Sequence, residues 1–121
     1  MNRTYYLSMN SWISEYMNDH AYRMLDISTT DLSRVDHVLI IFDGHSYNDY
    51  VELSDYISLY LHQITRIPKI DIYMVRIPNH AYIPHKYIDI HNKLMKPLTI
   101  VFKDELDTIV KWFKEEIGHN V

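Results

Sequence analysis

The sequence predicts an α/β fold in which helices cover a central sheet, and three observations support this prediction. Apolar runs of strand type alternate along the chain with segments whose apolar residues recur at helical spacing. The run Val38–Phe42 is apolar throughout, which indicates a strand that is buried on both faces. Only two of the 121 residues are glycine, so few turns with positive φ are expected. A chain of this length is expected to form a single domain over residues 1–121.

The first third of the chain is predicted to form a strand, a helix and a second strand. Aromatic residues give Arg3–Met9 the propensity of a strand. Asn10 or Ser11 is the predicted cap of a helix that ends near Asp26. The apolar residues that recur at helical spacing in this segment are Trp12, Ile13, Tyr16, Met17, Ala21, Met24 and Leu25. A polar, turn-like stretch then leads to the second strand, Val35–Phe42.

The middle of the chain is predicted to form a long helix and a third strand. Ser46 or Asn48 is the predicted cap of the helix, and Pro68 ends it. Alternation of apolar and polar residues predicts a strand over Ile70–Ile77. The segment His85–Met95 fits either a strand or a short helix, and both alternatives stay open.

The last two elements are predicted to be a strand and a helix. Pro97 restricts Lys96 to an extended conformation, and Leu98–Phe102 follows as the fourth strand. Asp104 is the predicted cap of the last helix, and Gly118 is the residue expected to end it.

The order of these elements resembles the thioredoxin fold. Val38–Phe42 looks like the central strand of that family, and the residues from Ser46 to Asp49 fall where its Cys-x-x-Cys motif begins the second helix. Pro97 takes the place of the family's cis-proline. The resemblance implies a thioredoxin-like sandwich, with a central mixed sheet of about four strands flanked by three or more helices. The alternative is a ferredoxin-like α+β sandwich, in which the Asp43-Gly44 turn joins a hairpin.

The function that we predict is binding to another protein without catalysis. The chain has no cysteine, so it is not a thiol–disulfide oxidoreductase, because the thiolate is the nucleophile of that chemistry. The resemblance still implies a groove between the turn and the proline, where an extended peptide can lie. The residues predicted to form this binding groove are His45, Ser46, Tyr47, Asn48, Pro97 and Leu98. We interpret the chain as an adaptor or inhibitor, of the kind that viruses and mobile elements encode, with no catalytic residues, metal or cofactor.

A small hydrolase or a metal-dependent enzyme is the first alternative. Asp43, His45 and Ser46 group a carboxylate, an imidazole and a hydroxyl at the end of a predicted central strand, where ligands of open α/β sheets bind. A second group, the His80–His91 cluster, contains three histidines, and imidazole is a common metal ligand. Residues adjacent in sequence rarely point at one another, and the histidine spacings match no zinc motif. We therefore favour a polar turn and solvated histidines.

Binding of single-stranded RNA is the second alternative. It requires exposed tyrosines such as Tyr5, Tyr6 and Tyr73 on which bases stack. The formal net charge of −4 opposes this hypothesis, because nucleic-acid surfaces are basic. No apolar run approaches the ~20 residues that span a bilayer, so no membrane association and a cytoplasmic location are expected.

Overall fold

The computed structural model describes residues 3–76 and 85–116 and has an α/β architecture, as the sequence predicts. Its five strands are β1 (Thr4–Leu7), β2 (Arg23–Met24), β3 (His37–Asp43), β4 (Lys69–Arg76) and β5 (Leu98–Phe102). Its four α-helices are α1 (Ser11–Asp19), α2 (Tyr47–Gln63), α3 (Asp89–Leu94) and α4 (Leu106–Glu116). Short 3₁₀ turns occupy Leu32–Arg34, His85–Tyr87 and Lys103–Glu105.

All five strands are parallel and lie in the order β2-β1-β3-β4-β5. Leu7 is level with Ile40 of β3, Ile40 with Ile72 of β4, and Ile72 with Leu98 of β5. This is the strand order of flavodoxin-like doubly wound sheets. The mixed sheet of about four strands was therefore the wrong prediction, because each described pair is parallel and the very short β2 adds a fifth strand. The thioredoxin-like arrangement is not confirmed.

The sheet has a separate apolar core on each face, and β3 contributes to both. Leu39 and Ile41 of β3 pack in the core under α1 and α4, together with Val101 and Leu106. The side chains that alternate with them lie in the core under α2 and α3: Val38, Ile40 and Phe42 from β3, with Leu53 and Ile57 from α2. Helices on both faces explain why the apolar run of β3 is continuous.

The first helix is shorter than the sequence pattern suggests. It ends at Asp19, because Ala21 adopts a positive φ of 65° that a helix does not accommodate. The chain then runs back along the sheet as β2, and the Leu25 N–H donates to the Tyr6 carbonyl at 2.9 Å. The predicted helix as far as Asp26 is wrong. Of the apolar residues beyond Asp19, Met24 lies in the edge strand β2 and is exposed, and Leu25 directly after it is buried.

The structure also tests the predictions for the segment His85–Met95, for Pro97 and for the start of the last helix. The helical alternative is confirmed for His85–Met95, which forms a 3₁₀ turn and α3. The described residues contain no cis peptide bond, so Pro97 is trans, unlike the proline of the resemblance. Asp104 does not cap α4, because a 3₁₀ turn precedes the helix and the Phe102 N–H donates to the Glu105 carboxylate at 3.2 Å. The predicted stop at Gly118 lies outside the described residues.

Candidate functional site

The candidate site lies where the parallel strands have their carboxyl ends. We call this end of the sheet the carboxyl edge. Helix α1 leaves β1 on one face of the sheet, and α2 leaves the neighbouring β3 on the other face. In open α/β sheets such a point leaves a crevice outside the carboxyl ends of the strands, and ligands bind in it. Here the segment Ser8–Asn10 follows β1, and the segment Gly44–Ser46 follows Asp43, the last residue of β3.

Asn10 fills this crevice with its own side chain. It is only 3% exposed, and its amide oxygen accepts a hydrogen bond from the Asp43 N–H at 2.9 Å. Its amide nitrogen donates to the Asp49 carboxylate, also at 2.9 Å. Asn10 occupies the cap position of α1, as predicted, but its side chain makes no capping hydrogen bond to that helix. It ties the end of β1 to the end of β3 and the start of α2.

Asp43 holds neighbouring groups in place. One carboxylate oxygen accepts from the Trp12 indole N–H at 2.8 Å, and the other accepts from the His45 backbone N–H at 2.8 Å. The Ser46 hydroxyl caps α2 by accepting from the Asp49 N–H at 3.4 Å. The carboxylate is therefore bonded to the indole and to the backbone of His45, and the hydroxyl serves the helix. This arrangement does not support the Asp43, His45 and Ser46 hydrolase hypothesis.

The six residues of the predicted groove do not lie together. Four of them stand at the carboxyl edge: His45, Ser46, Tyr47 and Asn48. Pro97 precedes β5 and Leu98 begins it, and through β4 Leu98 is level with Ile40 in the middle of β3. Leu98 is level with Ile72, whereas Asp43 is level with Val75, three residues further along β4. Strand β4 lies between β3 and β5, so the structure brings four of the six residues together and places Pro97 and Leu98 one strand further away. Whether the six form a binding groove stays a prediction.

An aromatic cluster lies beside these four residues, and it consists of Phe42, Tyr47, Tyr50 and Tyr87. The Tyr47 ring lies 5.9 Å from the Tyr50 ring and 5.7 Å from the Tyr87 ring. The Tyr87 hydroxyl donates to the Gly44 carbonyl at 2.8 Å, and the Tyr50 hydroxyl accepts from the Ile90 N–H at 3.0 Å. Phe42, Tyr50 and Tyr87 are buried, but Tyr47 is 41% exposed. Tyr47 is therefore the exposed member of a fixed set of rings.

Sequence reasoning missed Asn10 and Tyr87 as parts of this site. Asn10 fitted the pattern of a helix cap, and Tyr87 lay in a segment with no clear secondary structure. One signal was available for Asn10: polar residues follow both strands on either side of the point where the chain changes face. No comparable signal pointed to Tyr87, because it contacts Tyr47 and Tyr50 of α2, which are far from it in the sequence.

The residues of the two alternative functions are placed as follows. His80 lies outside the described residues, and the His91 ring nitrogen contacts the Lys96 carbonyl. No group of three or more potential metal ligands occurs in residues 3–76 and 85–116. Tyr6 is buried, while Tyr5 and Tyr73 are half-buried. They do not form the exposed stacking surface that RNA binding requires.

Comparison with known proteins gives no family for this chain. No family model, no curated protein and no solved structure matches it. Among the described helices, none is both long enough and apolar enough to cross a membrane. The functional argument therefore rests on the geometry of the carboxyl edge.

Proposed function

We propose that this domain binds another protein through the carboxyl edge of its sheet and catalyses no reaction there. The binding surface consists of His45, Ser46, Tyr47 and Asn48, with Lys86 beside them. We call it the carboxyl-edge surface. The observation that carries the proposal is the exposed Tyr47 ring, which is held by buried rings.

The filled crevice supports binding at the surface in preference to chemistry below it. The Asn10 side chain occupies the place where a small ligand of this fold class would enter. The Asp43 carboxylate, at the end of β3, already accepts two hydrogen bonds. With only two glycines, the chain offers no glycine-rich loop for a phosphate group. A partner would meet the side chains on the outside of this edge.

Tyr47 has the properties of an anchor residue at a protein interface. Tyrosine is enriched among the few residues that supply most of the binding energy of interfaces. The contacts with Tyr50 and Tyr87 fix the Tyr47 ring before binding, so little side-chain entropy is lost on association. The Lys86 ammonium lies 5.0 Å from the centre of the Tyr47 ring and adds a charged group. Val51, one helical turn further along α2, is 40% exposed and extends the apolar surface.

Site-specific crosslinking in the native cell tests this proposal. A photoreactive phenylalanine analogue replaces Tyr47 in one variant and Leu59 in a control variant. Leu59 lies on the same helix, three turns away, and is 54% exposed. The proposal predicts a defined crosslinked protein from position 47 and none, or a weak unspecific pattern, from position 59. Equal crosslinking from both positions would contradict it.

A further inference from the structure

A cleft lies on the face of the sheet that α1 and α4 cover, between α1 and the start of α4. Its volume is about 380 Å³, which is at the lower end of the range of small-ligand sites, roughly 300–1,000 Å³. Helix α1 supplies one wall through residues spaced along one helical face, among them Trp12 and Tyr16. Lys103 and Asp107 contribute to the opposite wall. We call this the α1–α4 cleft.

The Trp12 ring is held with one face available to a cation. Its indole N–H is bonded to the Asp43 carboxylate at 2.8 Å, which fixes the plane of the ring. The Lys103 ammonium lies over that ring, 5.0 Å from its centre. Tryptophan is the best aromatic partner of a cation at such a distance. The chain's own lysine therefore shows that this ring face accepts a positive charge.

The charged side chains of the cleft favour a cationic ligand. Three carboxylates, Glu15, Asp19 and Asp107, face one ammonium group, that of Lys103, which leaves two net negative charges. The Tyr16 hydroxyl donates to the Asp107 carboxylate and positions it. Burial and the Asp107 carboxylate raise the pKa of Tyr16, so its phenol stays neutral at physiological pH.

We propose that the α1–α4 cleft binds the guanidinium group of an arginine side chain from another polypeptide, and that Lys103 occupies the Trp12 face until this ligand displaces it. Arginine stacks on aromatic rings and pairs with carboxylates through two parallel hydrogen bonds, so one group satisfies both walls. The cleft uses a different face of the sheet from the carboxyl-edge surface, so this inference does not rest on the proposed function.

Tryptophan fluorescence with a small arginine probe tests this inference. The probe is Nα-acetyl-arginine methylamide, and the matched probe is the citrulline analogue, which has the same shape without the charge. A Trp112→Phe background leaves Trp12 as the only tryptophan. At low salt the Trp12 emission is expected to respond saturably to the arginine probe and at least tenfold more weakly to the citrulline probe. Equal responses to the two probes would overturn the proposal.

Two lysine variants distinguish competition by Lys103 from a general effect of the protein's net charge. Lys103→Met removes the competing cation and is expected to tighten arginine binding about two- to fivefold, the range that corresponds to an exposed cation–π contact. Lys111→Met changes the net charge equally on an exposed position of α4 outside the cleft, and it is expected to leave the affinity unchanged. Circular dichroism confirms that both variants fold. Weaker arginine binding by Lys103→Met, or equal tightening by both variants, would refute the claim that Lys103 competes for the Trp12 face. The absence of a saturable response in both variants would refute the binding site itself.

Discussion

Asn10 offers the sharpest test of how the carboxyl edge is held together. Replacing it with alanine removes the acceptor of the Asp43 N–H and the donor to the Asp49 carboxylate, while the backbone of the cap position is kept. Asn48→Ala is the matched control, because Asn48 is the same residue type but exposed at the start of α2. The comparison isolates the two buried hydrogen bonds from the general effect of shortening an asparagine.

The expected cost follows from the two contacts. Asn10 is 3% exposed, so the Asp43 amide loses a partner that water replaces poorly, at about 1–3 kcal/mol. Asp49 is half-buried, and water partly replaces its lost donor, so we assign this contact only about 0.5–1 kcal/mol. The sum predicts that Asn10→Ala lowers the free energy of unfolding by about 1.5–4 kcal/mol. Asn48→Ala should stay within about 0.5 kcal/mol of the wild type.

Urea denaturation followed by circular dichroism measures both variants. A lower midpoint with an unchanged m-value is expected for Asn10→Ala, because the loss is local and the surface exposed on unfolding is the same. If Asn10→Ala and Asn48→Ala differed by less than about 0.5 kcal/mol, the hydrogen bonds of Asn10 would not hold this edge together, and the reasoning would be refuted.

Three further predictions concern the two cores and the amino edge of the sheet. The hydrogen bond with His37 lowers the pKa of Asp71 in the folded protein. The ionised carboxylate therefore stabilises the fold above the unfolded pKa of about 3.9, and this stabilisation is lost as the pH falls through the lower pKa of the folded protein. Asp71→Asn should therefore flatten the fall in unfolding free energy below about pH 4, and an unchanged acid slope in urea titrations would contradict this. Leu106 is 2% exposed, so Leu106→Ala should lower the free energy of unfolding by about 2–5 kcal/mol in the same assay. The control Lys111→Ala should change it by less than about 0.5 kcal/mol. Similar losses would mean that the buried face of α4 is misassigned. Tyr60 is buried, and its hydroxyl has no hydrogen-bond partner among residues 3–76 and 85–116. Tyr60→Phe should therefore raise the midpoint by the equivalent of about 1–2 kcal/mol, and a lower midpoint would disprove the unsatisfied hydroxyl.

The central strand and the long helix could be predicted because local signals agree with the tertiary structure. The apolar run before Asp43 is buried on both faces, and Ser46 caps α2 as expected. The strand order could not be predicted, since it depends on the side of the preceding strand on which each connection places the next strand. β2 illustrates this: it has two exposed residues and is a strand only because β1 pairs with it.

The candidate site could be predicted only in part. The turn after β3 was found from the sequence because ligands bind at the ends of such strands. Its predicted partner, Pro97, precedes a strand that β4 separates from β3, and the order of strands in a sheet is not written in any local pattern of the sequence. The contact between Tyr47 and Tyr87 joins residues 40 positions apart, and no local sequence pattern predicts such a contact.

The most direct test of the account is the affinity of the partner found by crosslinking for three purified proteins. Isothermal titration calorimetry would compare the wild type, Tyr47→Ala and Leu59→Ala. An anchor residue contributes about 2 kcal/mol or more, so Tyr47→Ala should weaken binding about 30-fold or more, while Leu59→Ala should stay within about twofold. An unchanged affinity for Tyr47→Ala, with a native circular dichroism spectrum, would contradict the claim that this ring anchors the partner.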